Sequence, residues 1–290
     1  MPKISVITPA HNGAEFLRQA VESVLNQSFR DFEYFIVDDG STDETPRIIA
    51  EYAARDPRIR TVRRERASGD PTIPKNIALS LSNSPYICFL DQDDFCHPEK
   101  FTILNDGLDH NPGWVAAFHD VQLTDADGTP RAGSYLSNAD FLRRSSSYLR
   151  EMDEHWYDCG DNFYIFMSLH YAAIHTVSVM LARERLLNDP VSFRAHYRGS
   201  DDTDLWLRVG AQGPIGYVDR TLAFYRQHNG NLSRNQLAMT WNAVELHEAN
   251  YLIARHKLDT RERTQYRRKI AAYQHTLGYM LYKAGRFDEA

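Results

Sequence analysis

Three short apolar runs, "KISVIT", "FEYFIV" and "YICFL", and a further strand candidate, "RIRTVR", recur through the first 95 residues, with helix-spaced segments between them. This alternation constrains the fold more than any other feature. After "KISVIT", the positions Leu17, Ala20, Val21, Val24 and Leu25 repeat at helical spacing. "IPKNIALSLS" reads as another helix. Strands alternating with helices predict an α/β fold with a mainly parallel sheet and helices on both faces. Ser41 or Thr42 is expected to cap the helix after "FEYFIV", with Asp43 and Glu44 favourable in its first turn. Beyond Asp94 the pattern loosens. "VAAFHDVQLTDADG" reads as a strand and a turn, "AIHTVSVMLARE" as a strand, "DTDLWLRVGAQG" as a helix, and "IGYVDRTLAFYRQH" as one or two strands. From about Leu237 the chain reads as helical. Residues 134–172 match no motif.

Acids gather where the predicted strands stop. Asp38 and Asp39 follow "FEYFIV", and Asp91, Asp93 and Asp94 follow "YICFL" in "FLDQDDF". Ligands of open α/β sheets bind beyond the carboxyl ends of the strands, so these loops and "ITPAHN" should share one crevice. Clustered carboxylates suit Mg²⁺ or Mn²⁺. Such an ion cancels their mutual repulsion and can bridge to phosphate. The plainer alternative is a solvated, turn-forming loop.

Composition narrows the class. The net charge of -6 argues against a primary nucleic-acid binder. Cys88, Cys96 and Cys159 form neither a disulfide framework nor a metal-binding pattern, which fits a reducing compartment. No leader-like apolar region opens the chain, and no apolar run approaches a membrane span. The chain reads as cytoplasmic, with peripheral attachment at the inner face of a membrane as a further option.

The segments "ISVITPAHNGAEFL", "SVLNQSF", "VDDGSTDET", "PKNIALSLSNSPYICFLDQDD", "GSDDTDLWLRVG" and "YRQHNGNLS" stand in the order typical of family 2 glycosyltransferases, which residues 3–234 resemble. The resemblance implies the GT-A fold, a Rossmann-like nucleotide-diphospho-sugar transferase architecture, and inverting, metal-dependent transfer. The donor would be a nucleotide-sugar, UDP-linked as the commonest case. The acceptor would be a glycan or lipid-linked hydroxyl, in bacterial-type surface polysaccharide or glycan synthesis. By the same resemblance Thr8, Pro9 and Asn12 line the nucleotide pocket, and Asp39 contacts the base or ribose. Lys75 and Asn76 stand where Arg-Asn is common; a lysine meets phosphate as a point charge without the bidentate fork, and a surface lysine is the alternative. The resemblance implies that Asp93 is the direct metal ligand. Asp91 contacts the sugar or ribose, orients the loop, or shares the metal, and Asp94 supports them. His228 falls near the metal or pyrophosphate. Asp202 matches the general base, and Asp201 replaces a usual glutamate. Trp156, Tyr157 and Trp206 are candidates for sugar stacking, with core packing the commoner fate of such residues.

The resemblance divides the chain into a transferase domain over 1–234, with a nucleotide-binding half 1–96 and an acceptor-side half 97–234, and a helical extension over 235–290. In that extension Leu277, Gly278, Gly285, Phe287 and Ala290 resemble the start of a tetratricopeptide repeat. A terminal helix packed on the main domain is the alternative. Lys and Arg exceed acids between Arg255 and Lys269, which suits either a solvated face or a membrane surface. The helices also offer a surface for protein contacts. Two other functions compete: an inactive transferase-like scaffold acting through its tail, and a sugar-phosphate nucleotidyltransferase. The second lacks its expected Gly- and Arg-containing loop, since "PAHNGAEF" stands there.

Overall fold

A computed structural model of the chain describes residues 1–153, 155–189, 191–197, 199–231, 235–286 and 288. Strands β1 (Ile4–Ala10), β2 (Phe32–Asp38), β3 (Ile59–Arg63) and β4 (Tyr86–Phe89) fall on the four expected strand segments. They lie in the order β3-β2-β1-β4 and are all parallel. Every residue of β1, β2 and β4 is buried. Both faces of this part of the sheet are covered, so its strands run apolar instead of alternating.

Helices α1 (Leu17–Leu25), α2 (Thr45–Arg55), α3 (Thr72–Leu81) and α4 (Lys100–His110) follow the four strands. One face packs Ile4, Val6 and Tyr34 against Leu17, Ile48 and Leu104, from α1, α2 and α4. The opposite face packs Ile7, Phe35 and Phe89 against Ala78 of α3 and a larger helical layer. The expected cap of α2 is corrected. Ser41 Oγ accepts from Asn12 N–H at 3.0 Å and Thr42 N–H donates to Asn12 Oδ1 at 2.8 Å, so both serve the loop after β1. Asp43 Oδ1 takes the Thr45 N–H instead, at 2.9 Å.

The second half completes the sheet with β5 (Phe95–Cys96), β6 (Ala116–Thr124), β7 (Pro130–Ser134), β8 (Arg150–Asp153), β9 (Trp156–Asp158), β10 (Val179–Ala182) and β11 (Ile215–Arg226). The order continues β4-β10-β6-β11-β9-β8. β10 runs antiparallel to both of its neighbours. The parallel expectation therefore holds for β1–β4, and the sheet is mixed beyond them. "AIHTVSVMLARE" is a strand only from Val179; residues 176–178 form a 3₁₀ turn. "IGYVDRTLAFYRQH" is one strand, with irregular register between Val218 and Ala223.

Short helices α5 (Tyr135–Asn138) and α6 (Phe141–Ser145) precede α7 (Phe163–Leu169) and α8 (Asp201–Gly210). α9 (Gln236–Ala254) and α10 (Thr260–Lys283) end the chain. Leu246, Leu258, Tyr266 and Ile270 from this segment join the same core cluster as Trp206 and Phe166. The repeat resemblance gains no support. Leu277 and Gly278 belong to the closing turns of the 24-residue α10, while Phe287 and Ala290 lie outside the described residues. Among the described residues no helix is long and apolar enough to cross a membrane.

Candidate active site

The carboxyl ends of β1, β2 and β4 open onto a cavity of about 680 Å³, within the ~300–1,000 Å³ typical of ligand sites. Pro9, Asp39, Lys75, Asp91, Asp93, Asp201 and Asp202 all line it. Residues from five separate stretches of the chain thus meet in one space.

The β1 and β4 loops are tied together by Gln92. Its side chain accepts from His11 N–H at 2.9 Å and donates to His11 O at 3.0 Å. A Cβ on Gly13 would stand 2.0 Å from Gln92 Oε1, so a glycine keeps this clasp in place. Asp39 sits under the loop after β3. Its carboxylate accepts from Ser68 N–H at 2.9 Å, Ser68 Oγ at 2.6 Å and the Arg64 guanidinium. Burial raises its pKa, but the Ser68 and Arg64 donors prevail and hold it below the ordinary value.

Lys75 is the cationic centre of the site and is 5% exposed. Its Nζ lies 3.6 Å from Asp91 Oδ1 and 3.9 Å from Asp201 Oδ2, with the Phe193 ring 4.8 Å away. Burial alone would lower its pKa; Asp91, Asp201 and Asp202 reverse that and raise it. The surface-lysine alternative is thereby corrected.

Asp202 begins α8. Its Oδ1 accepts from Thr203 N–H at 2.6 Å and its Oδ2 from Thr176 Oγ1 at 3.3 Å. A helix N-terminus favours the charged form, yet burial outweighs it and raises the pKa, with Lys75 opposing. Burial also lifts Asp201, to about 6, again against Lys75.

Asp93 meets His228 across 135 residues, Oδ2 to Nε2 at 2.8 Å. Gly230 N–H donates to His228 Nδ1 at 3.1 Å. This assigns the imidazole proton to Nε2, where it faces Asp93. Burial and then Asp91 raise the Asp93 pKa, with His228 opposing. Asp94 is buried deeper and accepts from Arg226 N–H at 3.0 Å, while its Oδ2 has no hydrogen-bond partner among the described residues. Burial, Asp93 and Asp91 push its pKa well up.

Three expected side chains serve the framework. Thr8 Oγ1 donates to Leu90 O at 2.7 Å and pairs with Tyr34 Oη. Asn12 holds the loop before α2, and Asn76 spans both backbone groups of Phe193, at 2.7 and 2.8 Å. None of the three side chains lines the cavity. Trp156, Tyr157 and Trp206 do not line it either: Trp156 packs on Trp114, Tyr157 on Tyr217, and Trp206 is fully buried near Phe89.

The aromatic wall is made instead by Tyr135, Tyr225 and His175, whose ring centroid lies 5.6 Å from Tyr135 and 4.6 Å from Tyr225. Burial holds His175 at about 4, with Asp91 opposing and Lys75 and Lys100 adding to the depression. The buried Lys100 donates to Val177 O at 2.6 Å and so fixes the turn that presents His175 and Thr176. Sequence reasoning missed these residues. Only the histidine in "AIHTVSV" signalled them, and it was hidden by an apparent strand.

Residues 5–171 match the model of glycosyl transferase family 2. The chain belongs to glycosyl transferase family 2. TuaG of Bacillus subtilis (strain 168), named as a teichuronic acid biosynthesis glycosyltransferase, is 29% identical over 245 residues, covering 84% of this chain and 85% of its own. The fold resembles Staphylococcus aureus TarS 1–349 in complex with UDP, with a TM-score of 0.67 at 18% identity, over 96% of this chain and 75% of the other. It also resembles mannosyltransferase PcManGT from Pyrobaculum calidifontis in complex with GDP-Man and Mn²⁺, with a TM-score of 0.61 at 16% identity, over 98% and 80%. This family 2 glycosyltransferase thus has an α/β fold shared with a UDP complex and a GDP-Man complex, and a relative named for teichuronic acid biosynthesis.

Proposed function

We propose that this enzyme transfers a sugar, with inversion, from a nucleotide-diphosphate sugar to an acceptor hydroxyl in surface glycan synthesis. UDP-sugar is the favoured donor, in keeping with the UDP complex of TarS. The observation that carries the reading is the single cavity lined by Asp39, Lys75, Asp91, Asp93 and Asp202. Asp39 faces the base or ribose from beneath the loop after β3. Asp91, paired with Lys75, orients the donor, and Lys75 offers its positive charge to the diphosphate. Asp201 tunes that charge from the other side.

A divalent ion fits the donor set in part. Among the described residues no group of three or more His, Cys, Asp or Glu side chains is arranged to hold one. Asp93 and His228 are the two that would bind it, leaving the remaining positions to diphosphate and water, as Mg²⁺ and Mn²⁺ accept. Once bound, Mn²⁺ or Mg²⁺ supplies charge neutralisation for the leaving diphosphate. His228 would hold the ion through Nε2 with its proton on Nδ1, the tautomer opposite to the one that Gly230 N–H and Asp93 favour here, so the neighbouring turn would have to adjust. The unpartnered Asp94 Oδ2 beneath also suits a nearby cation.

Asp202 takes the proton of the acceptor hydroxyl. The acceptor oxygen bonds to the anomeric carbon as the bond to the diphosphate oxygen breaks, and the nucleotide leaves with the electron pair. One displacement inverts the anomeric centre.

The test is a screen of UDP-, dTDP- and GDP-sugars for nucleotide release with Mn²⁺. Asp93→Ala and Asp202→Asn should each cut release by at least ~100-fold, the lower end for a lost general base. NMR of the product should give the opposite anomer from the donor. Release unaffected by both substitutions overturns the mechanism.

A further inference from the structure

A second cavity, of about 260 Å³, lies between α8 and the C-terminal helices. This is slightly less than a whole ligand site of ~300 Å³ or more, and about right for a subsite. Its lining includes Tyr171, Thr240, His247, Lys269 and Tyr273. It shares Thr203 and Met239 with the larger cavity. Thr203 donates its N–H to Asp202, so the two spaces meet beside the proposed base. Met239 fits there because Gly199 lacks a side chain; a Cβ on Gly199 would stand 2.7 Å from the Met239 sulfur.

Lys269 sets the chemistry. Its Nζ donates to Ser168 O at 2.7 Å. An ammonium has three N–H donors, and among the described residues no carboxylate lies within ion-pair distance of this one. The nearby His247 ring accepts at Nδ1 from, or donates to, Tyr266 Oη at 3.0 Å and stacks on Tyr273. Burial, and after it the Lys269 charge, lower His247 to about 3, so it stays neutral and adds no second positive charge. Burial also brings Lys269 down to about 8, as expected of a cation without a counter-ion. The site combines an uncompensated cation with aromatic rings and hydroxyls.

We propose that this cavity is the acceptor subsite, and that it takes a sugar or polyol unit carrying a phosphate or carboxylate group. The anion pairs with Lys269, Tyr171 and Tyr273 border the ring, and the reacting hydroxyl reaches Asp202 past Thr203 and Met239. The inference rests on the transferase reading of the main cavity, and its test is separable from it.

Three matched probes settle it by saturation-transfer NMR on the full chain with UDP and the diamagnetic Mg²⁺ present: methyl glucoside, methyl glucoside 6-phosphate and methyl glucuronide. At least one charged probe should bind ~10-fold more tightly than the neutral one, the scale of one charge-assisted hydrogen bond. Which charged probe binds identifies the anion as phosphate or carboxylate. Lys269→Met should abolish the preference, Lys269→Arg should keep it, and neither should change UDP affinity. Equal binding of all three probes overturns the proposal. So does a Lys269→Met variant that keeps the preference, or one that weakens UDP and every probe alike, since that marks a structural role. Failure of the main-cavity reading is seen separately, as absence of UDP binding and of nucleotide release.

Discussion

Lys75 stands among Asp91, Asp201 and Asp202, and its charge sets their proton affinities. It opposes the effect of burial on Asp202. A base must be deprotonated to act, so kcat/KM should fall as pH drops through a pKa above the ordinary aspartate value of ~3.9. Lys75→Met removes the opposing cation, raises that pKa further and should move the acid limb to higher pH. Lys75→Arg should leave the limb near its original position. A limb that stays fixed in Lys75→Met would contradict the coupling. The sequence named Lys75, Asp91, Asp93, Asp202 and His228 as candidates through ordered motifs, and the fold brings them around one cavity and its rim. It left Lys75 open because an isolated lysine carries no mark of burial. Thr8, Asn12 and Asn76 match motif positions too, yet their side chains satisfy backbone and hydroxyl groups that would otherwise be buried unpaired. Sequence spacing places such residues near a site without telling support from contact.

At the scale of elements, the loops after β1, β2 and β4 depend on two glycines with different constraints. Gly40 has φ +66, and a Cβ there would stand 2.4 Å from Ala67 N, a backbone atom. Gly40→Ala should therefore cost about 1–3 kcal/mol, seen as a lower Tm, and displace the loop that covers Asp39. Gly13→Ala meets only the flexible end of Gln92. It should leave Tm nearly unchanged and weaken nucleotide binding, because the Gln92–His11 clasp opens. Calorimetry on both variants checks this contrast; equal Tm losses would contradict it. The strands β1, β2 and β4 were readable because each is an apolar run buried on both faces. The 3₁₀ turn before β10 was not, since "AIHTVSV" has strand composition throughout. What breaks the strand is tertiary: Lys100 reaches Val177 O from α4.

At the scale of the whole molecule, the described residues form two cores, one on each face of the sheet, and the C-terminal helices belong to one of them. Leu246, Leu258, Tyr266 and Ile270 are all nearly inaccessible. Removing residues 235–290 should expose this surface together with the α7–α8 layer, lowering Tm and promoting aggregation; thermal unfolding of the truncated chain checks it. A truncated chain as stable as the full one would show that the helices are an independent appendage. The central claim is that Asp93 and its partner His228 hold a divalent ion that anchors the nucleotide diphosphate in the main cavity. Titration calorimetry of UDP, with Mn²⁺ and with chelator, on the unsubstituted chain and on Asp93→Ala tests it most directly. The account predicts UDP binding that requires Mn²⁺ and is lost in Asp93→Ala. UDP binding of equal strength with chelator, or in Asp93→Ala, would contradict it.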